Sequence, residues 1–274
     1  MNQFLTGLFG LKNKHAIVTG GASGIGFAIV QALANVGASV HIWDKDERAD
    51  PELLTSLPQD GQEHRLVHID VSDQNALRKH WADNAAPVDI LINNAAIAPE
   101  VDEDGVLTMP NSRLRSIMDT NFWGYLYCAR TVRQDMSSGG RIINISSVQG
   151  QASHAPWSTY QTSKAAVDGL TRTLACELGR SGINVIGVAP GAIATPGLGE
   201  HDEETINAYR KMVPLRRRGH PDEIAYLVVA LCGVAGNYIT GTTITADGGY
   251  LANITPINLV EDMPPAADDP DVAE

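Results

Sequence analysis

The stretch His15-Ala16-Ile17-Val18-Thr19-Gly20-Gly21-Ala22-Ser23-Gly24-Ile25-Gly26 decides how the rest of the chain is read. His15 to Val18 is a short apolar run closed by glycines, the pattern of a strand buried on both faces. Beyond the glycines, Ile25 to Asn35 places apolar residues at helical spacing. A strand, a glycine turn and a helix in that order open a βαβ unit. Outward from it the rhythm repeats. Strands are expected at Ser39–Trp43, Arg65–Ile69, Val88–Ile92, Arg141–Ile145, Asn184–Val188 and Thr242–Thr245. Helices are expected at Asn75–Ala85, Arg113–Met136, Ser158–Leu178 and Glu223–Leu231. This alternation predicts an α/β protein with a doubly wound parallel sheet and helices on both faces.

With 274 residues, 43% of them apolar and 19% charged, the chain has ample material for a core and is not wholly disordered. One domain over residues 1–250 is expected, since no repeat or inner linker interrupts the pattern. The net charge of -12 argues against nucleic acid, which needs a basic face. Cys128, Cys176 and Cys232 are too scattered for a disulfide framework or a metal site. No apolar run approaches a membrane span, and the first positive charge, Lys12, follows the apolar start rather than preceding it. A cytoplasmic protein without membrane contact is the expectation. Two segments break the rhythm. Residues 192–220 hold Gly197, Gly199, an acidic patch and Arg216-Arg217-Arg218, and are read as a substrate lid. Residues 251–274 carry six acidic residues, no basic ones and four prolines, and are read as an acidic tail.

Glycines spaced GxxxGxG between a strand and a helix let backbone approach a pyrophosphate closely. The helix start then offers free N–H groups and a positive dipole end. Gly20, Ser23, Gly24, Ile25 and Gly26 are therefore candidate dinucleotide contacts. Asp44 closes the second strand. A carboxylate there accepts from ribose hydroxyls and repels a 2′-phosphate. Ser23 adds no positive charge to the loop, so NAD is favoured over NADP, with Lys45 as the one nearby cation that would soften the choice.

These residues, taken with others further on, resemble the short-chain dehydrogenase/reductase family in its single-domain branch. The matching motifs are Thr19-Gly20-x-x-x-Gly24-x-Gly26, Asp70-Val71, Asn93-Asn94-Ala95-Ala96, Asn121, Ser147, Tyr160-Gln161-Thr162-Ser163-Lys164, and Pro190-Gly191 with Thr195. They run in the family's order over residues 14 to about 250, and Ala96 stands where the family more often has glycine. The resemblance implies a Rossmann-type sheet of seven parallel strands and hydride exchange between an alcohol and a carbonyl. It implies that Asp70 and Val71 contact adenine, that Asn94, Ala95 and Ala96 form the cofactor floor, and that Pro190, Gly191, Ile193 and Thr195 line the nicotinamide end. It also implies a homotetramer joined through the two long helices and the last strand.

The chemistry needs a base for the hydroxyl proton. Tyr160 serves only if its pKa falls below its usual value of about 10. Lys164 lies four residues on, on the same helix face, where an ammonium favours phenolate. Ser147 would stabilise charge on the substrate oxygen, with Ser146 as a structural hydroxyl beside it. Asn121, by resemblance, supports a proton relay to the lysine. Ala98-Pro99-Glu100, Gln149, Gln151, His154, Trp157 and the lid would line the substrate pocket, and the amides and imidazole would suit a sugar or polyol. The leading expectation is an NAD-dependent dehydrogenase of small polar or cyclic secondary alcohols. The rivals are an NADPH-dependent 3-oxoacyl-thioester (acyl-carrier-protein) reductase, docking its carrier at Arg216–Arg218, and a non-catalytic NAD-binding protein.

Overall fold

A computed structural model describes residues 3–46, 51–98, 106–153, 158–195, 207–208 and 211–253. Seven strands form one parallel sheet in the order β3-β2-β1-β4-β5-β6-β7. They are β1 His15–Thr19, β2 Ser39–Asp44, β3 Arg65–His68, β4 Val88–Asn93, β5 Met136–Ile145, β6 Asn184–Pro190 and β7 Thr243–Ala246. The helices are α1 Gln3–Phe9, α2 Gly24–Asn35, α3 Gln74–Asn84, α4 Asn111–Met118, α5 Gly124–Val132, α6 Ser158–Leu178 and α7 Pro221–Cys232. Among the described residues, no helix is long and apolar enough to cross a membrane.

Strands buried on both faces send alternate side chains into two cores. On one face Val18, Ile42, Ile92, Ile143 and Ile186 pack with Ile29 and Leu33 of α2 and Val228 of α7. On the other, Ile17, Trp43, Leu91, Ile142 and Val185 meet Leu77 of α3, Tyr125 of α5 and Val167 of α6. The strand order reverses between β1 and β4. A crevice therefore opens beyond their carboxyl ends, where such sheets bind ligands.

The expected helix Arg113–Met136 differs from the observed one in three ways. It begins at Asn111, it widens into a π-helical turn over Asp119–Trp123, and it ends at Val132. The chain turns at Asp135, whose N–H donates to Val132 O and whose carboxylate accepts from Trp81 Nε1 of α3 (2.8 Å). Met136 then starts β5. The strand takes in the Ser-Ser-Gly-Gly segment because Met136 pairs with Val88 and Gly139 N donates to Gly182 O. Ladder pairing thus overrides the turn propensity of those residues.

A chain of buried amides fixes α5 and α6 against the sheet. Asn93 Nδ2 donates to Asn144 Oδ1 (2.9 Å), and Asn144 Nδ2 donates to Thr171 Oγ1 of α6 (2.9 Å). Asn93 Nδ2 also reaches Tyr125 O of α5 (3.4 Å). Asn144→Ala takes one hydrogen bond from Asn93 and one from Thr171, which keep Tyr125 O and Val167 O as acceptors. It is expected to lower unfolding free energy by about 1–3 kcal/mol in urea denaturation, the cost of two lost buried hydrogen bonds.

Candidate active site

The glycine loop is held from beneath. Asn94 Nδ2 donates to Thr19 O (3.1 Å) and Gly20 O (2.9 Å), while Thr19 Oγ1 accepts from the N–H groups of Asn94 and Ala95. Gly20 has a φ of +61°, and a Cβ on it would lie 2.7 Å from Ala95 Cα. A Cβ on Gly26 would lie 2.0 Å from Gly20 O. Both positions therefore require glycine if the loop is to lie flat over the start of α2. Ser23 caps α2 in extended conformation without a side-chain hydrogen bond, so the first N–H groups of the helix face the crevice with no capping oxygen. Thr195 closes the other side, 3.6 Å from where a Gly24 Cβ would stand. A flat loop, an uncapped helix start and a groove between them suit a pyrophosphate.

Asp44, at the end of β2, leans over this loop. Its Oδ2 accepts from Ala22 N and its Oδ1 from Asp46 N, both at 3.0 Å. The carboxylate fixes the loop as well as facing the crevice. Asp70 accepts from the N–H and hydroxyl of Ser72 through Oδ1. Val71 is buried, with its Cγ2 only 2.8 Å from where a Gly124 Cβ would stand. Its side chain is thus part of the core. Pro190 ends β6, and Gly191 N donates to Ala246 O of the neighbouring strand. Ile193 is buried and bridges Gly219, so the two ends of the 192–220 segment are tied together.

At the ends of β4 and β5 a second group converges. Asn121 is fully buried in the π turn. Its Oδ1 accepts from Ile97 N (2.8 Å), and its Nδ2 donates to Ile97 O and to Ser163 Oγ, both at 3.1 Å. Ser147 Oγ accepts from Gln149 N (3.1 Å) and hydrogen-bonds Tyr160. Ser146 Oγ donates to Lys164 O, a structural bond. Lys164 is 1% exposed. Its ammonium donates to Ile145 O (2.8 Å) and to Tyr125 Oη (3.2 Å), and lies 5.6 Å from the centre of the Tyr160 ring.

Burial sets the electrostatics. It drives the Lys164 ammonium down to about 7, opposed by Asp168 one turn along α6. It also pushes the Tyr160 phenol up, opposed by the Ser147 hydrogen bond. The sequence alone suggested a lowered Tyr160. In the free protein desolvation wins, because it penalises phenolate and ammonium alike.

Gln149 and Gln151 part company. Gln149 Oε1 is buried with no hydrogen-bond partner, whereas Gln151 Oε1 accepts from Thr245 of β7 (3.3 Å). Ala98 is exposed, in the loop after β4. His154, Trp157, Pro99, Glu100 and residues 254–274 of the acidic tail lie outside the described residues. Sequence reasoning missed Tyr125, four residues after Asn121 on the same helical face, and Asp168, four after Lys164. The same i,i+4 rule that paired Tyr160 with Lys164 would have found both. Among the described residues no group of His, Cys, Asp and Glu is placed to hold a metal ion.

A family model described as Enoyl-(Acyl carrier protein) reductase (adh_short_C2) matches residues 20–251. The chain is 35% identical over 253 residues to galactitol 2-dehydrogenase of Rhizobium johnstonii, covering 88% of this chain and 96% of the relative. It is 33% identical over 245 residues to the 3-oxoacyl-[acyl-carrier-protein] reductase FabG of Chlamydia trachomatis, covering 87% and 98%. The Pseudomonas aeruginosa RhlG/NADP active-site complex superposes with a TM-score of 0.79 at 32% identity, covering 89% and 98%. Gly26→Ala, whose Cβ would meet backbone rather than a flexible side chain, is expected to weaken dinucleotide binding at least about tenfold, read by fluorescence titration of the reduced cofactor.

Proposed function

Because the chain belongs to the short-chain dehydrogenase/reductase family and is an NAD(P)-dependent oxidoreductase acting on CH–OH groups, we propose that it interconverts a small polar secondary alcohol and its ketone, with NAD preferred. The observation that carries this reading is the convergence of a buried Ser147, a buried Lys164 and a partly exposed Tyr160 at the sheet's carboxyl edge. Gly20, Ser23, Gly24, Ile25 and Gly26 would cradle the pyrophosphate. Asp44 would accept from the adenosine ribose, and Asp70 and the backbone of Val71 would flank adenine. Asn94 would act by holding the loop, with Ala95 and Ala96 as floor. Pro190, Gly191, Ile193 and Thr195 would border the nicotinamide. When bound, an oxidised nicotinamide supplies the hydride acceptor and a positive charge.

Tyr160 takes the hydroxyl proton at its Oη as the carbon gives up hydride. Positive charge at the site offsets the burial that raises its pKa. Ser147 donates to the substrate oxygen and steadies the charge that develops there. Lys164 holds its ammonium beside Tyr160 and favours the phenolate. Asn121 anchors the π turn to Ile97 and Ser163, keeping α6 in place. On the substrate side, the unpartnered Gln149 Oε1 favours a ligand that brings a hydroxyl donor, since an orphaned buried acceptor costs about 1–3 kcal/mol. A polyol or sugar-like molecule meets that need.

The relatives include both a polyol dehydrogenase and a thioester reductase at similar identity, so the rival reading is weighed on the site itself. Carrier docking at Arg216–Arg218 is weakened because Arg217 is committed: its guanidinium donates to both oxygens of Glu223 at 2.7 Å. Asp44 disfavours NADP for the reason given above. The three cysteines are unpaired, which suits a cytoplasmic setting.

The test follows reduced nicotinamide across polyols, sugars, cyclic alcohols and hydroxyacyl thioesters, with NAD and NADP in parallel. Turnover is expected with NAD on a polyhydroxy alcohol and is expected to vanish in Tyr160→Phe. Asp44→Ser should shift the NAD/NADP ratio of kcat/KM towards NADP by about tenfold to a hundredfold, one or two charged hydrogen bonds' worth. Turnover only with NADP and a thioester would overturn the reading. NAD binding without turnover on any class would favour the non-catalytic alternative. A homotetramer joined through α5, α6 and β7 goes with this proposal, and Trp123, exposed and stacked on Tyr127, gives that face apolar surface. Sedimentation as a monomer would contradict it.

A further inference from the structure

Tyr125 is among the largest fully buried side chains, yet its hydroxyl is not spent on packing. It donates to Ile145 O (3.0 Å), the last carbonyl of β5 before Ser146 and Ser147. That bond fixes the hydroxyl's proton, so its lone pairs turn to Lys164 Nζ at 3.2 Å. Ile145 O accepts from Lys164 as well (2.8 Å), closing a triangle of phenol, carbonyl and ammonium. The ammonium lies between two rings, 5.2 Å from the centre of Tyr125 and 5.6 Å from that of Tyr160. Two of its three protons thus have acceptors supplied by α5 and β5, elements other than the helix that carries it.

We propose that Tyr125 is a positioning residue for the hydride-transfer reaction: its hydroxyl, set between Ile145 O and Lys164 Nζ, holds the ammonium in charged form beside Tyr160. The proposal rests on the reading of Tyr160 and Lys164 given above. The charged and titratable groups around the ammonium are few. Asp168 approaches from α6 and is itself held by Thr243 of β7 (2.9 Å); Tyr160 stands one turn back; Cys128 lies beyond Tyr125 on α5. Burial, with Tyr160 and Cys128 adding, pushes the Tyr125 phenol well above its ordinary value. Of the two phenols facing one ammonium, Tyr125 therefore stays a neutral hydroxyl and Tyr160 is left to ionise. Desolvation already favours the neutral amine at Lys164, so loss of an acceptor tips it further. Less positive charge beside Tyr160 makes its proton harder to remove.

Tyr125→Phe keeps the ring and deletes the oxygen. For alcohol oxidation the ascending limb of the pH profile is expected to move to higher pH by about one unit. At neutral pH kcat should fall about tenfold, while KM for NAD changes less than about twofold. Lys164→Ala, measured in parallel, separates the two claims. If it leaves activity intact, the catalytic reading itself fails. If it abolishes activity while Tyr125→Phe leaves the pH profile unmoved, the Tyr125 proposal alone is overturned. Tyr125→Met fills a similar volume without a hydroxyl and serves if the Phe variant does not fold. Failure of both to fold would make Tyr125 a residue of the core only, and would likewise overturn the proposal.

Discussion

An ammonium sealed from water is tolerated only where the fold supplies acceptors for it. Lys164 is that case, and the end of β5, α5 and α6 meet around it. Its acceptors come from the end of β5 and from α5, and its helix is tied to the π turn through Ser163 and Asn121. Asn144, in β5, holds α6 again through Thr171, two turns further along. Moving any one of these elements would leave either the lysine or a buried amide without a partner.

The same economy shapes the cofactor side. Asn94 and Asp44 spend hydrogen bonds on the glycine loop, and the Thr19 hydroxyl ties the start of that loop to the end of β4, so the loop is shaped before any ligand arrives. Preorganisation of this kind lowers the ordering cost of binding. The crevice falls where the strand order reverses, between β1 and β4, so the glycine loop and the Ser147–Tyr160–Lys164 group border one groove from two sides. A raised Tyr160 and a Lys164 lowered to about 7 mean that burial works against the charged form of each, and the acceptors around Lys164 work against that loss. Positive charge entering that groove favours the Tyr160 phenolate.

Much of this was legible in the residues. Buried parallel strands read as apolar runs, so the order of strands and helices followed from Ile17, Ile42, Leu91, Ile143 and Ile186 and their neighbours. The placement of the glycine turn between β1 and α2, and of Tyr160 beside Lys164 on α6, was legible because each is a short local spacing. The π turn was not: it adds one residue to a helical turn without changing composition, so Arg113–Met136 looked uniform. The start of β5 was hidden because Ser137 to Gly140 have turn chemistry and pair only through the sheet. Asn144 and Thr171 gain their meaning from partners more than 25 residues away, and nothing local marks them; Tyr125 and Asp168 carry a local i,i+4 spacing, but their hydrogen bonds to β5, β7 and Lys164 come from the fold. Gln149 and Gln151 are indistinguishable in sequence, and only the fold separates the orphaned amide from the one bonded to β7.

The central claim is that burial keeps Tyr160 protonated and that positive charge from the cofactor releases its proton. The most direct measurement is a pH titration of tyrosinate absorbance, differenced against Tyr160→Phe, in the free protein and with saturating oxidised NAD. The account predicts that Tyr160 titrates above about 10 in the free protein and moves to markedly lower pH with NAD bound. A Tyr160 that titrates at the same pH in both states, or that is already ionised at neutral pH without NAD, would contradict it.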